Sequence, residues 1–415
     1  MIYRNILKNL TDAILDTPIV LITGARQTGK STLVRHIHEN GAPRRYITLD
    51  MVSTFSLAKA DPEGFINGLT GPVIIDEIQR VPDLLLSIKV SVDENRNPGR
   101  FILTGSANIL MLPKICESLT GRMEILTLYG FSQSELNGVK QSFVDRLYEG
   151  NIFQAFMPIP PAPTSTDLMK KIIIGGYPEM QARSNPLRQR AWFNSYITTL
   201  VERDIKDFAD IENGSEISRL LALLAAHSGG IRHYAELSRV LEIPQTTLKR
   251  YTHLIQAAHL LEIIPAWSHN FGKRTVRSPK FILSDTGLMS YFLGINVQRL
   301  ENDPILYGRL FECFVTLEVI KQCTWSQCGA KYYHFRTTSG QEVDIILECP
   351  SGEIMGIEVK SRATVTANDF KWLKTMQEEM GKRFVRGVVL YTGDKIIPFG
   401  ENMLAIPVHL MWNLV

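Results

Sequence analysis

Nine residues, GARQTGKST at 24–32, constrain this 415-residue chain more than any other stretch. They fit G-x-x-x-x-G-K-[ST] through Gly24, Gly29, Lys30 and Ser31. They follow PIVLIT (18–23), a short apolar run that reads as a buried parallel strand, and precede a helix predicted from Ser31 to Glu39. A loop of this kind is useful only between such a strand and such a helix. Its glycines let the N–H groups of Ala25, Arg26, Gln27 and Thr28 curl toward phosphate oxygens, while the helix beginning near Ser31 and Thr32 offers its positive end to the same anion. Lys30 neutralises charge on the outer phosphates, and the Ser31 hydroxyl is a magnesium ligand. The expected cofactors are ATP and Mg2+.

A Gly-rich turn without a ligand is the competing reading, and a second motif argues against it. VIIDE (73–77) delivers Asp76 at the carboxyl end of an apolar strand, where it holds magnesium through water. Glu77 follows and polarises the attacking water. In RFILTGS (100–106), Thr104 or Ser106 ends another strand and is placed to sense a γ-phosphate.

RYITLD (45–50) completes a set of four predicted strands with helical patterns between them, which implies an α/β fold with a parallel sheet and helices on both faces. The prolines of MPIPPAPTSTD (157–167) interrupt regular structure, and QRAWFNSYITTLVERDIKDF (189–208) reads as helix. No apolar run approaches the roughly 18 residues of a membrane span, and MIYRNILKNL lacks the features of a signal peptide. The expectation is a cytoplasmic protein without a membrane partner. Cys116, Cys313, Cys323, Cys328 and Cys349 are an odd set without a CxxC pair, which fits reduced thiols. Cys323 and Cys328 make half a zinc site at most.

GARQTGKST, VIIDEIQ, FILTGS and LTGR, in this order and spacing, resemble the AAA+ superfamily ATPases of the AAA_14 type. IIIGGYPE (172–179), LVERDI (200–205), KRTVRSPKFILSDTGL (273–288) and YGRLFECFV (307–315) resemble the C-terminal domain of unknown function 4143 that usually accompanies it. Arg122 in SLTGR (118–122) is, on chemistry alone, either a surface ion pair or a group that reaches a γ-phosphate in its own or a neighbouring subunit. The resemblance favours an arginine finger. It also implies a homo-oligomer, with a hexamer as one candidate.

Residues 216–264 carry three helical patterns that fit a winged helix, the helix-turn-helix variant with an added hairpin. In the predicted second reading helix, about 245–258, Leu248, Tyr251, Leu254 and Ile255 recur at helical spacing and face the core. Gln245, Thr246, Lys249 and Arg250 then face outward, near the end that enters a major groove. Nine Lys/Arg against four Glu over 214–283 make a basic patch. The expected partner is DNA, through Lys249, Arg250, Lys273, Arg274, Arg277 and Lys280. An ATPase lid or a protein-contact module is the other use of such a fold.

EVDIILECPSGEIMGIEVK (342–360) reads as two strands around a turn centred on Ser351. That register sets Asp344 opposite Glu358, and period-two alternation puts Glu358 and Lys360 on one face. The carboxylates suit a hard divalent ion, and Lys360 suits a role beside a metal-bound water. A Lys360–carboxylate ion pair without metal is the plain alternative. The set resembles the D…ExK of the PD-(D/E)xK nuclease superfamily, with Val343 where that pattern has proline. The resemblance adds Glu312 as a further acid, Mn2+ as an alternative ion, and Tyr333, Arg336 and Gln341 as substrate or supporting groups.

The sequence thus predicts an AAA+ ATPase domain at 1–155, a helical lid or linker at 168–213, a winged helix at 214–290 and a restriction-endonuclease-like α/β domain at 300–415. The expected activity is Mg-dependent ATP hydrolysis coupled to DNA binding, with metal-dependent DNA cleavage, on branched DNA for example. The alternatives are an ATP-controlled protein-interaction switch, or a DNA-binding regulator with an inactive nuclease-like domain.

Overall fold

A computed structural model of the chain describes residues 2–106, 119–150, 156–201, 214–230, 234–269, 274, 278–337 and 339–413. Two compact units emerge: Arg4–Gly130 with Ala257–Leu260, and Met1–Tyr3 with Phe131–Gln256 and Leu261–Val415. Among the described residues, no helix is long and apolar enough to cross a membrane.

The first unit is built on a five-stranded, all-parallel sheet: β1 (Ile19–Thr23), β2 (Arg45–Thr48), β3 (Val73–Asp76), β4 (Phe101–Gly105) and β5 (Met123–Thr127), in the order β2-β3-β4-β1-β5. Alternate residues of the central strands enter two separate cores. Ile19, Leu21, Val73, Ile75, Phe101 and Leu103 pack on one face with the helices Val52–Ala60, Pro62–Asn67 and Leu84–Glu94. Val20, Ile22, Ile74 and Ile102 pack on the other with the helices Leu7–Asp16 and Lys30–Asn40. Burial on both faces is why these strands read as unbroken apolar runs. Each fully buried Ile or Leu contributes roughly 1.5–3 kcal/mol. The fifth strand, MEILT, was absent from the sequence reading. It is an edge strand with one buried residue, Leu126, and so carries little apolar signal.

The second unit contains the helices Gly214–His227, Tyr234–Leu241 and Gln245–Ala257, then an antiparallel pair, β6 (Leu261–Ile264) and β7 (Lys280–Leu283). Leu248, Tyr251 and Ile255 are buried and Leu254 is half-buried, while Gln245, Thr246, Lys249 and Arg250 are exposed, as the periodicity predicts. Asp285 joins two of the segments that carry the family resemblance. Its buried carboxylate accepts from Gly176 N (2.6 Å) and Leu288 N (3.0 Å).

The long helix Pro304–Cys323 leads into a six-stranded sheet of β8 (Lys331–Arg336), β9 (Glu342–Glu348), β10 (Ile354–Lys360), β11 (Phe384–Tyr391), β12 (Ile397–Pro398) and β13 (Met403–Pro407), ordered β12-β13-β11-β10-β9-β8. β8, β9 and β10 are antiparallel, whereas β10, β11 and β13 run parallel. The parallel pair β10–β11 needs a crossover, which the helix Lys371–Met380 supplies. Gly356 and Gly387 face each other across β10 and β11. A Cβ on Gly356 would lie 2.4 Å from Leu373 Cδ2, and one on Gly387 would lie 3.2 Å from Leu373 Cβ. The glycine pair therefore lets the crossover helix sit close on the sheet. The pairing Ile354↔Glu348 matches a turn centred on Ser351. The described cysteines Cys313, Cys323, Cys328 and Cys349 are free thiols; Cys116 lies outside the described residues.

Candidate nucleotide site and carboxylate cluster

The parallel sheet brings the predicted loop, β3 and β4 together at the carboxyl ends of the strands. Gly24 has φ 151°, and a Cβ there would stand 2.2 Å from Leu128 O, so only glycine lets the loop run this close to the residue after β5. Gly29 caps the next helix at φ 96°, and Gln27 forms the exposed tip at φ 64°. Lys30 is buried, and its Nζ donates to Gly24 O and Ala25 O, both at 2.8 Å. Thr28 Oγ1 also donates to Ala25 O (2.9 Å). Burial pulls the Lys30 pKa down to about 8, against the opposing pull of Glu77 and Asp76. Arg26 is half-buried in the loop and Thr32 exposed on the first turn of the helix.

Asp76 is the hub of the polar groups. Its Oδ1 accepts from Ser31 Oγ (3.0 Å) and from Thr104 Oγ1, and its Oδ2 accepts from Tyr46 OH (2.6 Å). Thr104 Oγ1 also receives the Glu77 N–H (3.1 Å), so this hydroxyl links the two acids. Glu77 takes a left-handed backbone (φ 63°), and its Oε2 accepts from Gln79 Nε2. Gln79 bonds Ser106 Oγ as well (2.9 Å). Ser31 and Asp76 lie one hydrogen bond apart beside a buried ammonium, a donor set that fits a magnesium–phosphate ligand.

Sequence reasoning missed Tyr46, Gln79 and His259. His259 Nε2 lies 2.7 Å from Thr23 Oγ1, and burial, reinforced by the Lys30 charge, pushes its pKa down to about 4. It is neutral at physiological pH. Its 236-residue separation from Thr23 hides it from any motif.

Arg122 is a surface ion pair here. Nε and Nη2 reach Asp93 Oδ1 and Oδ2 at 2.5 and 3.0 Å. Its carbonyl accepts from Ile19 N at the amino end of β1, whereas the loop leaves the carboxyl end. Five residues of strand separate the two ends, about 16 Å at about 3.3 Å per residue. Arg122 therefore does not serve the loop of its own chain.

In the second unit, four acids and three cations converge. Glu312 comes from the long helix, Glu342 and Asp344 from β9, and Glu358 and Lys360 from β10. Lys280 of β7 sits among them, 2% exposed, with Nζ 3.0 Å from Glu312 Oε1, 3.1 Å from Glu342 Oε1 and 3.8 Å from Asp344 Oδ1. Lys360 Nζ donates to Glu358 Oε2 (2.9 Å), and Arg336 Nη1 lies 3.4 Å from Glu342 Oε2. Asp344 Oδ2 accepts from Val359 N (2.9 Å). Burial, then the Asp344 charge, raises the pKa of both Glu312 and Glu358. Burial opposes the charge on Lys280, but Glu312, Asp344 and Glu342 outweigh it and raise its pKa.

The expectation of a metal held by Glu312, Asp344 and Glu358 is not met by this arrangement. Among the described residues, no group of three or more His, Cys, Asp or Glu side chains is placed to hold a metal ion. Glu312 is turned to Lys280, Glu358 to Lys360, and one Asp344 oxygen to a backbone amide. Tyr333 lies under the Arg274 guanidinium (5.0 Å to the ring centroid), and the Gln341 N–H donates to Thr337 Oγ1 (3.1 Å).

Two of the cations expected to contact DNA are paired with acids of this chain. Lys280 is enclosed by carboxylates. Arg274 is held by Glu348 at 2.6 and 3.1 Å and packs on Trp267 and Tyr333. Neither offers a free cation to a phosphate. Lys273 and Arg277 lie outside the described residues, as does most of the LVERDI segment. Lys249 and Arg250 are exposed, over the rings of Tyr234 and Tyr251 at 5.7 and 5.8 Å.

Residues 16–137 match a family described as AAA domain, and residues 307–411 match the domain of unknown function DUF4143; of the four segments read as resembling the latter, only YGRLFECFV (307–315) lies in that match, and the other three lie at 165–299. Residues 165–299 match a second domain of unknown function, DUF8612. The uncharacterized proteins Rv2008c of Mycobacterium tuberculosis and Mb2031c of Mycobacterium bovis are each 31% identical over 407 residues, covering 97% of this chain and 83% of theirs. Among solved structures, two variants of Thermotoga maritima RuvB align with 63% of this chain and 89% of their own, at 19% and 18% identity and TM-scores of 0.30 and 0.29. Scores so low carry no argument about this chain.

Proposed function

We propose the following for a chain that belongs to the family of the uncharacterized mycobacterial proteins Rv2008c and Mb2031c: it is a magnesium-dependent ATP hydrolase whose nucleotide cycle controls its own hold on DNA. The AAA domain match at residues 16–137 supports a nucleotide-dependent activity. The observation that carries the reading is the convergence of Lys30, Ser31, Asp76 and Thr104 on one point at the carboxyl ends of the strands.

Lys30 binds the outer phosphates with its ammonium, and the N–H groups of residues 24–29 orient them. Ser31 and Asp76 would hold the magnesium. Bound magnesium supplies positive charge to the phosphate oxygens. Gln79 fixes Glu77 Oε2, which leaves Oε1 to orient the attacking water and take its proton. Thr104 and Tyr46 hold the Asp76 carboxylate in place. Arg122, half-buried and remote from its own loop, acts on the site of a neighbouring copy in this reading, which is the basis for a homo-oligomer.

The chain is organised as an ATPase domain (1–155), a helical linker (168–213), a winged helix (214–290) and a restriction-endonuclease-like domain (300–415). Gln245, Thr246, Lys249 and Arg250, on one exposed helical face, are the DNA-contacting groups. The Asp344, Glu358 and Lys360 order supports the nuclease-like fold. Their present partners favour binding without cutting, because those acids do not fit a divalent ion.

Lys30→Ala abolishes ATP turnover, measured by phosphate release; turnover equal to the parent rejects the nucleotide site. DNA stimulates turnover in the parent. A basal rate unmoved by linear, single-stranded and branched DNA leaves only an interaction switch. Mg- or Mn-dependent cleavage of any of these DNAs, lost in Asp344→Ala, replaces the binding-only reading with a nuclease.

A further inference from the structure

We propose that Lys280 is the resident cation of the carboxylate cluster, occupying the place among Glu312, Glu342 and Asp344 that a divalent ion would need and excluding one from it. The inference rests on the binding-only reading of the second unit and deepens it. Lys280 approaches three carboxylates from two different elements, Glu312 on the long helix and Glu342 and Asp344 on β9. An ammonium at 2% exposure, ringed in this way, has no route to an external phosphate. It is also not a surface lysine that drifted inward. It opens β7, paired with Ile264, so the hairpin itself delivers the charge.

The charges near it explain why one lysine is not redundant. Glu312, Glu342, Asp344 and Glu358 are opposed by Lys280, Lys360 and Arg336. With all four acids ionised and Lys280 in place, the group carries one net negative charge. Without it the surplus is two, the charge that a divalent ion neutralises. Lysine and metal therefore compete for the same oxygens. Lys360 cannot substitute, because its ammonium is committed to Glu358 on its own strand, β10.

The test uses the full chain carrying Asp76→Asn, without nucleotide, so that the phosphate-loop metal does not contribute. Mn2+ is titrated and followed by its electron paramagnetic resonance signal, alongside melting curves. The expected result is no saturable Mn2+ binding when Lys280 is present. Lys280→Met gains one site, tighter by at least about tenfold, and Mn2+ raises the melting temperature of that variant alone. Adding Asp344→Asn removes the gain. Saturable Mn2+ binding with Lys280 present, lost in Asp344→Asn, overturns the proposal; so does a folded Lys280→Met chain that binds none. If Lys280→Met fails to fold with or without Mn2+, the Lys280-containing protein decides, since only absence of binding there supports the resident cation. Mn2+ binding without DNA cleavage sinks this inference and leaves the binding-only reading intact, whereas cleavage sinks that reading directly.

Discussion

Two buried lysines, one in each unit, show how the same side chain builds opposite sites. Lys30 is held by two backbone carbonyls. These are dipoles, not charges, and burial lowers its pKa to about 8. Its ammonium is under-compensated and favours the arrival of an anion. Lys280 is held by three carboxylates, and their charge outweighs its burial. It is over-compensated. The first lysine recruits a ligand and the second replaces one. Burial alone does not distinguish a binding lysine from a structural one; the formal charge of its partners does.

The contrast is broken most decisively by Lys30→Ala. Loss of a positioned cation at developing phosphate charge lowers turnover by about 10²–10³ or more, read by phosphate release, with the fold intact by circular dichroism. Lys280→Met is expected to act on stability instead, costing about 3–5 kcal/mol because buried acids lose their partner. Urea denaturation measures this, and a second change, Glu312→Gln, restores part of it. A Lys280→Met chain as stable as the parent removes the contrast.

The pH dependence follows in size. Lys30 titrates near 8 rather than at its ordinary 10.5, so its ammonium is complete below that value and is lost as pH rises through it. Anion binding needs the charged form, so ATP affinity is flat below about 8 and falls by up to about tenfold per unit above it. Calorimetric titration in two buffers of different ionisation enthalpy reads the accompanying proton uptake. Tyr46→Phe has the smallest effect, a loss of about 0.5–1.5 kcal/mol from freeing one Asp76 oxygen, seen as a several-fold weaker magnesium dependence of turnover.

Much of the first site was legible because its chemistry is local in sequence. The loop residues, Asp76 and Thr104 stand at strand ends whose apolar runs come from burial on both faces. The β9–β10 register was legible for a similar reason, since a short turn fixes what lies opposite what. Lys280 was not legible. In the sequence it is one more cation in a basic stretch, and its partners lie 32, 62 and 64 residues further on. Arg274 misleads in the same way, its acid being Glu348. Charge counts along a chain register composition, whereas tertiary pairing decides which cations remain free. β5 was missed because an edge strand with one buried side chain lacks the unbroken apolar run that marks its neighbours.

One further residue shapes the nucleotide loop from outside its motif. Arg4 donates from Nη1 to Thr28 O (2.8 Å) and from Nη2 to Tyr129 O (2.6 Å), tying the loop to the segment after β5. A phosphate-binding loop pinned before its ligand arrives has already lost conformational freedom. Arg4 thus preorganises the loop, and its removal is expected to appear as slower capture and faster release of nucleotide, with the phosphate-binding groups themselves unchanged.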